Sequence, residues 1–352
     1  MKPSVLRLVL LVSCAHAMVH IYELSLPSVE QIIAAQFHVG KETMGLLGNC
    51  WRFPFGAFAF LAGWLTDRLG ARRMLTIYLA GCAATAAAAA AAPELAYLFG
   101  AMFLMGTFAS IYHPAGLATI SHATPIQDRT AALGLHGIFG SAGIGLAPFI
   151  AAAVLGLGAT WRQYYLVLMV PGALLAVAIY VRLGDHYGPA RTRRGSPADA
   201  RDDAAHDNNS TVESPPGDED DADRLRRAAE REDERRHEHW GAFVLLIVIG
   251  AIGGFIYAAL LNFLPRYLGD AGLSFGDLSP ASLRNLLAGG VLFVGIAGQY
   301  LAGRFTPHDK LEPALVLILL GNAPPLFWMA VATGPSRVIA AGCFALVHFM
   351  HQ

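Results

Sequence analysis

Long apolar runs, separated by short polar turns, make up most of the chain. A helix needs about 20 apolar residues to cross a bilayer, and the sequence offers about ten runs close to that length. We predict spans at 5–26, 43–65, 74–92, 95–122, 130–156, 163–183, 241–264, 283–302, 313–333 and 338–352. The pattern therefore predicts an all-α polytopic membrane protein.

One long polar segment interrupts these runs. Residues 185–239 hold 10 of the 25 Lys and Arg and 16 of the 26 Asp and Glu, with almost no large apolar side chain. Such a segment cannot bury a core, so we expect a disordered, charged linker. The predicted organisation is an N-terminal half at 1–184 with six transmembrane helices, the linker at 185–239, and a C-terminal half at 240–352 with about four helices.

Composition and charge exclude several classes of protein. Hydrophobic residues make up 55% of the chain and charged residues 14%, against about 25% charged in soluble domains. There is no basic face for nucleic acid and no phosphate-binding G-x-x-x-x-G-K-[ST] loop. The 13 histidines are scattered along the sequence without metal-ligand spacing. We therefore expect no enzyme, no cofactor, no metal site, and no nucleotide or nucleic-acid partner.

The distribution of Lys and Arg predicts the orientation, because cytoplasmic loops carry the excess. An N-terminus inside the cell puts nine loop cations there, even before the linker is counted, and five outside. The nine are Lys2, Arg7, Arg68, Arg72, Arg73, Arg129, Arg182, Arg304 and Lys310; the five are Lys41, Arg162, Arg266, Arg284 and Arg337. We expect the N-terminus and the linker in the cytoplasm.

Two motifs recur at nearly the same offset on either side of the linker. Leu61-Ala62-Gly63-x-x-Thr66 returns as Leu301-Ala302-Gly303-x-x-Thr306, and Leu26-Pro27, taken to end span one, returns as Leu264-Pro265. Duplicated halves are typical of secondary transporters, whose substrate site lies between the halves near the midplane. A repeat of His113-Pro114 would fall near position 353, so the second half is expected to be truncated.

The most specific motif is Gly63-Trp64-Leu65-Thr66-Asp67-Arg68-Leu69-Gly70-Ala71-Arg72-Arg73. Gly63 permits close helix packing, Gly70 permits a tight reversal, and Asp67 at a helix end can accept charge-assisted hydrogen bonds. The motif resembles the signature loop of the major facilitator superfamily (MFS), G-x-L-x-D-R-x-G-x-R-R. The resemblance implies two six-helix halves and a conformational latch formed by Gly63, Asp67, Arg68, Gly70, Arg72 and Arg73.

Other segments resemble a narrower group, the fosmidomycin-resistance type of exporter. They are His16-x-x-x-His20-x-Tyr22-x-x-x-Leu26-Pro27, Tyr112-His113-Pro114-Ala115-Gly116, Gly137–Pro148, Trp161-Arg162 and Val347–Gln352. Proton-coupled export is what this resemblance implies. That group tends to carry Asp in span one, where this chain has His20 with Glu23 three residues on.

Ionisable residues inside spans are costly and usually face a cavity. His16, His20 and Glu23 lie at i, i+4 and i+7, on one face of a helix, and predict a proton relay, unless Glu23 is merely hydrated at the outer face. Asn49 and Arg52 share a face of span two. Arg52 is expected either to pair with Glu23, to meet an anionic substrate, or to reach the interface.

Proline predicts a bend in span four, since Pro114 disturbs the backbone ladder beside Tyr112 and His113. His113 is expected to line the central cavity or to mark a structural kink only, while His122 and His136 are expected at the membrane interface. A small-residue face for helix packing is predicted at Gly137, Gly140, Gly143, Gly145 and Pro148.

These patterns together favour a secondary transporter that exports a small molecule or drug by alternating access, driven by a proton gradient. We expect a monomer in the lipid bilayer of a bacterial inner membrane. Two alternatives stay open: a proton-coupled importer, and a transport-incompetent membrane protein, either truncated or a sensor.

Overall fold

A computed structural model describes residues 1–184, 240–305 and 310–351. Every regular element in these ranges is a helix. The α-helices are α1 (Pro3–Glu23), α2 (Ser25–Phe37), α3 (Lys41–Ala57), α4 (Ala59–Leu69), α5 (Ala71–Ala91), α6 (Leu95–Ala109), α7 (Tyr112–Ala123), α8 (Ile126–Gly156), α9 (Trp161–Arg182), α10 (Trp240–Gly269), α11 (Pro280–Phe305), α12 (Leu311–Gly321), α13 (Ala323–Val331) and α14 (Ser336–His348). A short 3₁₀ turn, Phe349–His351, follows.

Eight helical stretches in the described ranges are long and apolar enough to cross a membrane. They are Pro3–Phe37, Ala71–Ala91, Leu95–Ala123, Ile126–Gly156, Trp161–Arg182, Ile247–Gly269, Pro280–Ala302 and Pro313–Val331. The predicted all-α, multi-pass membrane protein is confirmed. The predicted span 43–65 is the pair α3 and α4, interrupted at Phe58, and 338–352 contains the 13-residue apolar helix α14.

The expectation that Leu26-Pro27 ends span one is wrong. The chain leaves helical geometry at Leu24 and then continues as α2 to Phe37. Proline has no N–H, so Pro27 cannot donate to the carbonyl of Glu23 four residues earlier. The ladder is therefore interrupted at Glu23 and Leu24 and resumes beyond them. Pro265 likewise lies inside α10, which runs on to Gly269.

Span four is interrupted for the same reason. Pro114 cannot donate to the carbonyl of Ser110, and the chain passes from α6 to α7 through Ser110 and Ile111. Each of these two breaks comes shortly before a proline. Together they place Glu23 and His113 beside the interruptions of their helices.

The contacts divide the chain into two compact units. Of the described residues, 1–184, 259–305 and 310–351 belong to the first unit, and the helical residues 240–258 belong to the second. The predicted linker, 185–239, and Thr306 of the repeat lie outside the described residues. The predicted domain boundaries therefore stay predictions.

Within the first unit, α1 packs against α8, α8 against α11, and α5 against α9. Two contacts define the ends of this bundle. The amino group of Met1 lies 3.2 Å from a carboxylate oxygen of Asp128 at the end that we call proximal. Trp161 Nε1 donates to Gln36 Oε1 over 2.7 Å at the other end, which we call distal.

Candidate functional site

Four side chains from α1 and α3 form a continuous, largely buried chain, here called the His–Glu–Arg chain. Nε2 of His16 lies 3.2 Å from Nε2 of His20, and Nδ1 of His20 lies 2.8 Å from Oε2 of Glu23. Arg52 Nη1 donates to the other carboxylate oxygen, Oε1, over 2.7 Å. The one-face spacing of His16, His20 and Glu23 thus brings His20 into direct contact with both of the others.

Burial makes this chain energetically demanding. The side chain of Glu23 is 4% exposed, that of His20 13% and that of Arg52 16%. A buried charge persists when it is paired and hydrogen-bonded, which is what Glu23 and Arg52 do for each other. Of the possibilities open at the sequence level, the structure shows Arg52 paired with Glu23, and Glu23 buried rather than hydrated at the outer face.

His136 of α8 completes the chain on the other side of His16. Nδ1 of His16 lies 2.9 Å from the carbonyl oxygen of His136, and the two rings stack with centroids 4.1 Å apart. His136, expected at the membrane interface, is 3% exposed and lies in the protein interior. The reason is the glycine-lined packing of α8 on α1, which draws this turn inward. His122 is exposed.

Tyr112 and His113 of α7 contact the same cluster. The Tyr112 hydroxyl donates to the carbonyl of Val12 over 2.9 Å, and its ring stacks on His16 at 5.1 Å. The His113 ring meets His16 edge-on at 5.4 Å and lies 5.9 Å from His20. The bend beside Pro114 therefore directs His113 into the cluster.

Sequence reasoning missed how closely the histidines come together. One ring nitrogen from each of His16, His20 and His113 lies within 4.8 Å of the others. A set of three imidazoles at this spacing could hold either a proton or a metal ion. His113 lies on a different helix, nearly 100 residues from the other two, so the spacing pattern in the sequence indicated only the pair of His16 and His20.

Asn49 is not part of this site. It is exposed, although it lies one turn from Arg52 on the same helix. The adjacent residue, Gly48, packs against the amide of Asn262 in α10, where an added Cβ would fall 3.1 Å from Cγ.

The predicted latch is only partly assembled. Gly70 has φ of +85°, a left-handed backbone conformation that favours glycine, and it forms the reversal between α4 and α5. Arg68 stacks over the Trp64 ring at 3.8 Å, and Arg72 lies over Tyr180 at 5.4 Å. Asp67 is exposed and makes no ion pair with any described residue; Arg73 is exposed, and Gly63 faces Pro114 at ordinary contact distance.

The predicted small-residue face of α8 divides into three parts. Gly140 lies against the His16 ring and Gly143 against the backbone of Ala17, so both permit the close approach of α8 to α1. Gly145 instead faces Phe293 of α11, and Gly137 has open space beside it. Pro148 is buried inside α8.

A second ion pair, absent from the sequence predictions, joins α2 to α10 at the distal end. Arg266 donates to both carboxylate oxygens of Glu30, over 2.8 and 2.6 Å, and Asn285 of α11 donates to the carbonyl of Ser28 over 2.8 Å. A cavity of about 510 Å³ opens beside this pair, away from the His–Glu–Arg chain. Glu30 was missed because span one was predicted to end at Leu26; the apolar residues Val29, Ile32 and Ile33 around it were the available signal.

A multi-pass helical bundle with broken helices and a buried charged chain at the breaks has the architecture of a membrane transport protein. The comparison with protein families agrees with this class. The model of the Major Facilitator Superfamily matches residues 9–351, and the chain belongs to that family.

Two curated relatives are named for drug efflux or for drug resistance. The chain is 33% identical over 125 residues to the multidrug efflux pump LfrA of Mycolicibacterium smegmatis (35% of this chain, 25% of that protein). It is 30% identical over 160 residues to the puromycin resistance protein pur8 of Streptomyces alboniger (45% and 30%). The matched segments thus span less than a third of either relative's length.

Solved structures show the same fold. A bacterial homolog of the human lysosomal transporter Spinster, inward-facing and unoccupied, aligns with a TM-score of 0.74 at 16% identity, covering all of this chain and 74% of that one. The partially occluded, inward-open xylose transporter XylE of E. coli aligns with a TM-score of 0.72 at 14% identity, covering 99% and 84%.

Proposed function

We propose that this chain belongs to a secondary transporter that exports small, drug-like molecules in exchange for protons. The observation that carries the proposal is the His–Glu–Arg chain, a set of ionisable groups buried inside a membrane protein. Such groups are costly in a bilayer and mark ion or proton pathways. Imidazole changes its charge near neutral pH, which suits a group that must both bind and release a proton in each cycle.

The direction of transport and the class of substrate are proposed from the two curated relatives. One is named as a multidrug efflux pump and the other as a puromycin resistance protein. We infer an exporter of compounds of that kind, operating as a monomer. The loop cations support a cytoplasmic N-terminus, and we propose the bacterial inner membrane as the site of action.

Alternating access needs two sets of contacts that open in turn. The distal pair of Glu30 and Arg266 holds α2 and α10 together, whereas Asp67 at the proximal end has no described ionic partner. We therefore propose that this conformation is closed at the distal end, and that the Asp67 loop engages when the proximal end closes.

The test is a flux assay with the purified chain in proteoliposomes. Puromycin is the probe, and its movement is followed with and without an imposed pH gradient. The proposal predicts accumulation that depends on the gradient and is lost in Glu23→Gln. The matched control is Asp270→Asn, which changes an acid that is 64% exposed and lies 3.5 Å from Arg337. Puromycin movement that ignores the gradient would refute proton coupling, and uptake along with protons would make the protein an importer.

A further inference from the structure

Two contacts of the His–Glu–Arg chain fix where its protons lie. Nδ1 of His16 is 2.9 Å from the carbonyl oxygen of His136, and because a carbonyl oxygen only accepts, this Nδ1 carries a proton. A neutral His16 then has an unprotonated Nε2. That atom lies 3.2 Å from Nε2 of His20, so the proton of the second contact comes from His20.

The third contact needs one proton more than neutral rings supply. Nδ1 of His20 is 2.8 Å from Oε2 of Glu23. A neutral His20 has its single proton on Nε2, and an ionised carboxylate has none to donate. Neutral rings with an ionised Glu23 would therefore leave two lone pairs facing each other in a buried place, which is unfavourable. Moving the proton to another nitrogen only moves the conflict to a neighbouring contact.

Arg52 determines which group holds the additional proton. Its Nη1 donates to Oε1 of Glu23 over 2.7 Å, and a guanidinium does not lose its proton in proteins. A protonated, uncharged Glu23 would leave Arg52 buried without its counter-charge, which is strongly unfavourable. Glu23 therefore stays ionised, and the additional proton lies on the imidazoles.

We propose that His16 and His20 share one bound proton along their Nε2–Nε2 contact, with His20 as the doubly protonated ring and Glu23 as its ionised counter-charge. The proposal rests on the proposed function and deepens it, because it names His20, rather than Glu23, as the proton carrier. The groups that face His20 are His16 and Glu23 of α1 and His113 of α7, with Arg52 of α3 acting through Glu23 and His136 of α8 through His16.

His113 offers this proton a route away from His20. Its ring lies beside both His16 and His20; His113 and His20 are half-buried, whereas His16 and His136 are buried. Among the described residues, His113 makes no hydrogen bond that would have to be broken first. Transfer from His20 to His113 moves one proton and leaves His20 neutral, so the contact with Glu23 or with His16 must then open.

The experiment reads the proton directly and does not measure transport. The full chain, labelled with ¹⁵N at its histidines, is placed in lipid nanodiscs at pH 7. Ring ¹⁵N shifts separate protonated from unprotonated nitrogens. We expect one doubly protonated ring that His20→Gln removes and that the control His122→Gln, at an exposed position, retains. We also expect a ¹⁵N–¹⁵N coupling across the His16–His20 contact. This coupling is measured in the unmodified protein, so the result does not depend on the folding of any variant.

Infrared spectroscopy of the same sample gives the state of Glu23. Because Glu23 is expected to be ionised, it should contribute no protonated-carboxyl band, and the Glu23→Gln variant should have the same spectrum in that region as the unmodified protein. Such a band, together with two neutral rings, would overturn the proposal and put the proton on Glu23. Neutral rings with one Zn²⁺ per chain, found by elemental analysis, would overturn it in favour of a metal site.

The proposal and the proposed function fail separately. A doubly protonated His20 in a protein that shows no gradient-dependent flux would refute proton-coupled export while leaving the proton assignment intact. Gradient-dependent flux with a neutral His20 would do the reverse.

Discussion

Arg266 donates hydrogen bonds from two of its nitrogens to the carboxylate of Glu30, which lies 236 positions earlier in the sequence. The Glu30 side chain is 2% exposed and that of Arg266 28%. Paired, bidentate contacts between guanidinium and carboxylate are among the strongest hydrogen bonds in proteins. This one ties the last turn of α10 to the middle of α2.

Glu30→Gln should therefore destabilise the closed distal end. Removing one partner of a fully buried pair costs about 3–5 kcal/mol, whereas a solvent-exposed pair contributes about 0–1 kcal/mol. The two arginines are similarly exposed, at 28% and 25%, but Glu30 is 2% exposed and Asp270 64%, so the Glu30 pair lies nearer the first limit. We expect a clear fall in the melting temperature of the detergent-purified protein, and a much smaller fall for Asp270→Asn, which removes the 3.5 Å pair with Arg337. Equal effects of the two substitutions would contradict a special role for Glu30.

A double-mutant cycle tests the pairing of Glu23 with Arg52. Each single change, Glu23→Gln or Arg52→Gln, leaves the other charge buried and should lower stability markedly. The double variant should be more stable than the sum of the two effects predicts, because residues in direct contact couple by about 0.5–3 kcal/mol. Thermal unfolding of the four proteins gives the coupling, and strict additivity would show that the contact contributes nothing.

Two glycines of α8 provide a matched test of helix packing. Gly143 lies against the Ala17 backbone, so a methyl group at this position must push α8 away from α1. Gly137 has open space, and alanine there should be neutral or slightly stabilising, since glycine in a helix costs about 1 kcal/mol relative to alanine. We expect Gly143→Ala to lower the melting temperature and Gly137→Ala to leave it unchanged or raise it. The opposite order would contradict the close packing of these helices.

Asp67→Asn should slow the transport cycle without weakening substrate binding. The residue lies in the last turn of α4 and makes no contact with the His–Glu–Arg chain among the described residues, and the substitution removes its charge at nearly constant shape. Turnover in the proteoliposome assay should fall, while binding of puromycin to the purified protein should persist. Loss of binding in a correctly folded variant would count against a role in conformational change.

The positions of most apolar helices followed from hydrophobic runs alone, because the bilayer imposes a minimum length. Their interruptions did not. Pro27 was taken as a stop, but one missing N–H interrupts a helix without ending it, and Val29 to Phe37 continue the helical run.

The site divides in the same way. His16, His20 and Glu23 could be grouped from sequence because helical spacing places them on one face. His136 could not be grouped with them from sequence, because its contact with His16 depends on the packing of α8 on α1 through Gly140 and Gly143. Glu30 with Arg266 required knowing which segments of distant sequence meet.

The interruption at Leu24 has a mechanical consequence. It separates α1, which is fastened to α8, from α2, which carries Glu30. Glu23 lies directly at this joint, and the Glu30 contact lies two turns beyond it. We therefore expect a tilt of α2 to pivot about this break, so that release of Arg266 at one end would shift the Glu23 carboxylate relative to His20 and Arg52 at the other. The short backbone segment from Glu23 to Glu30 thus connects the closed distal end to the His20 ring.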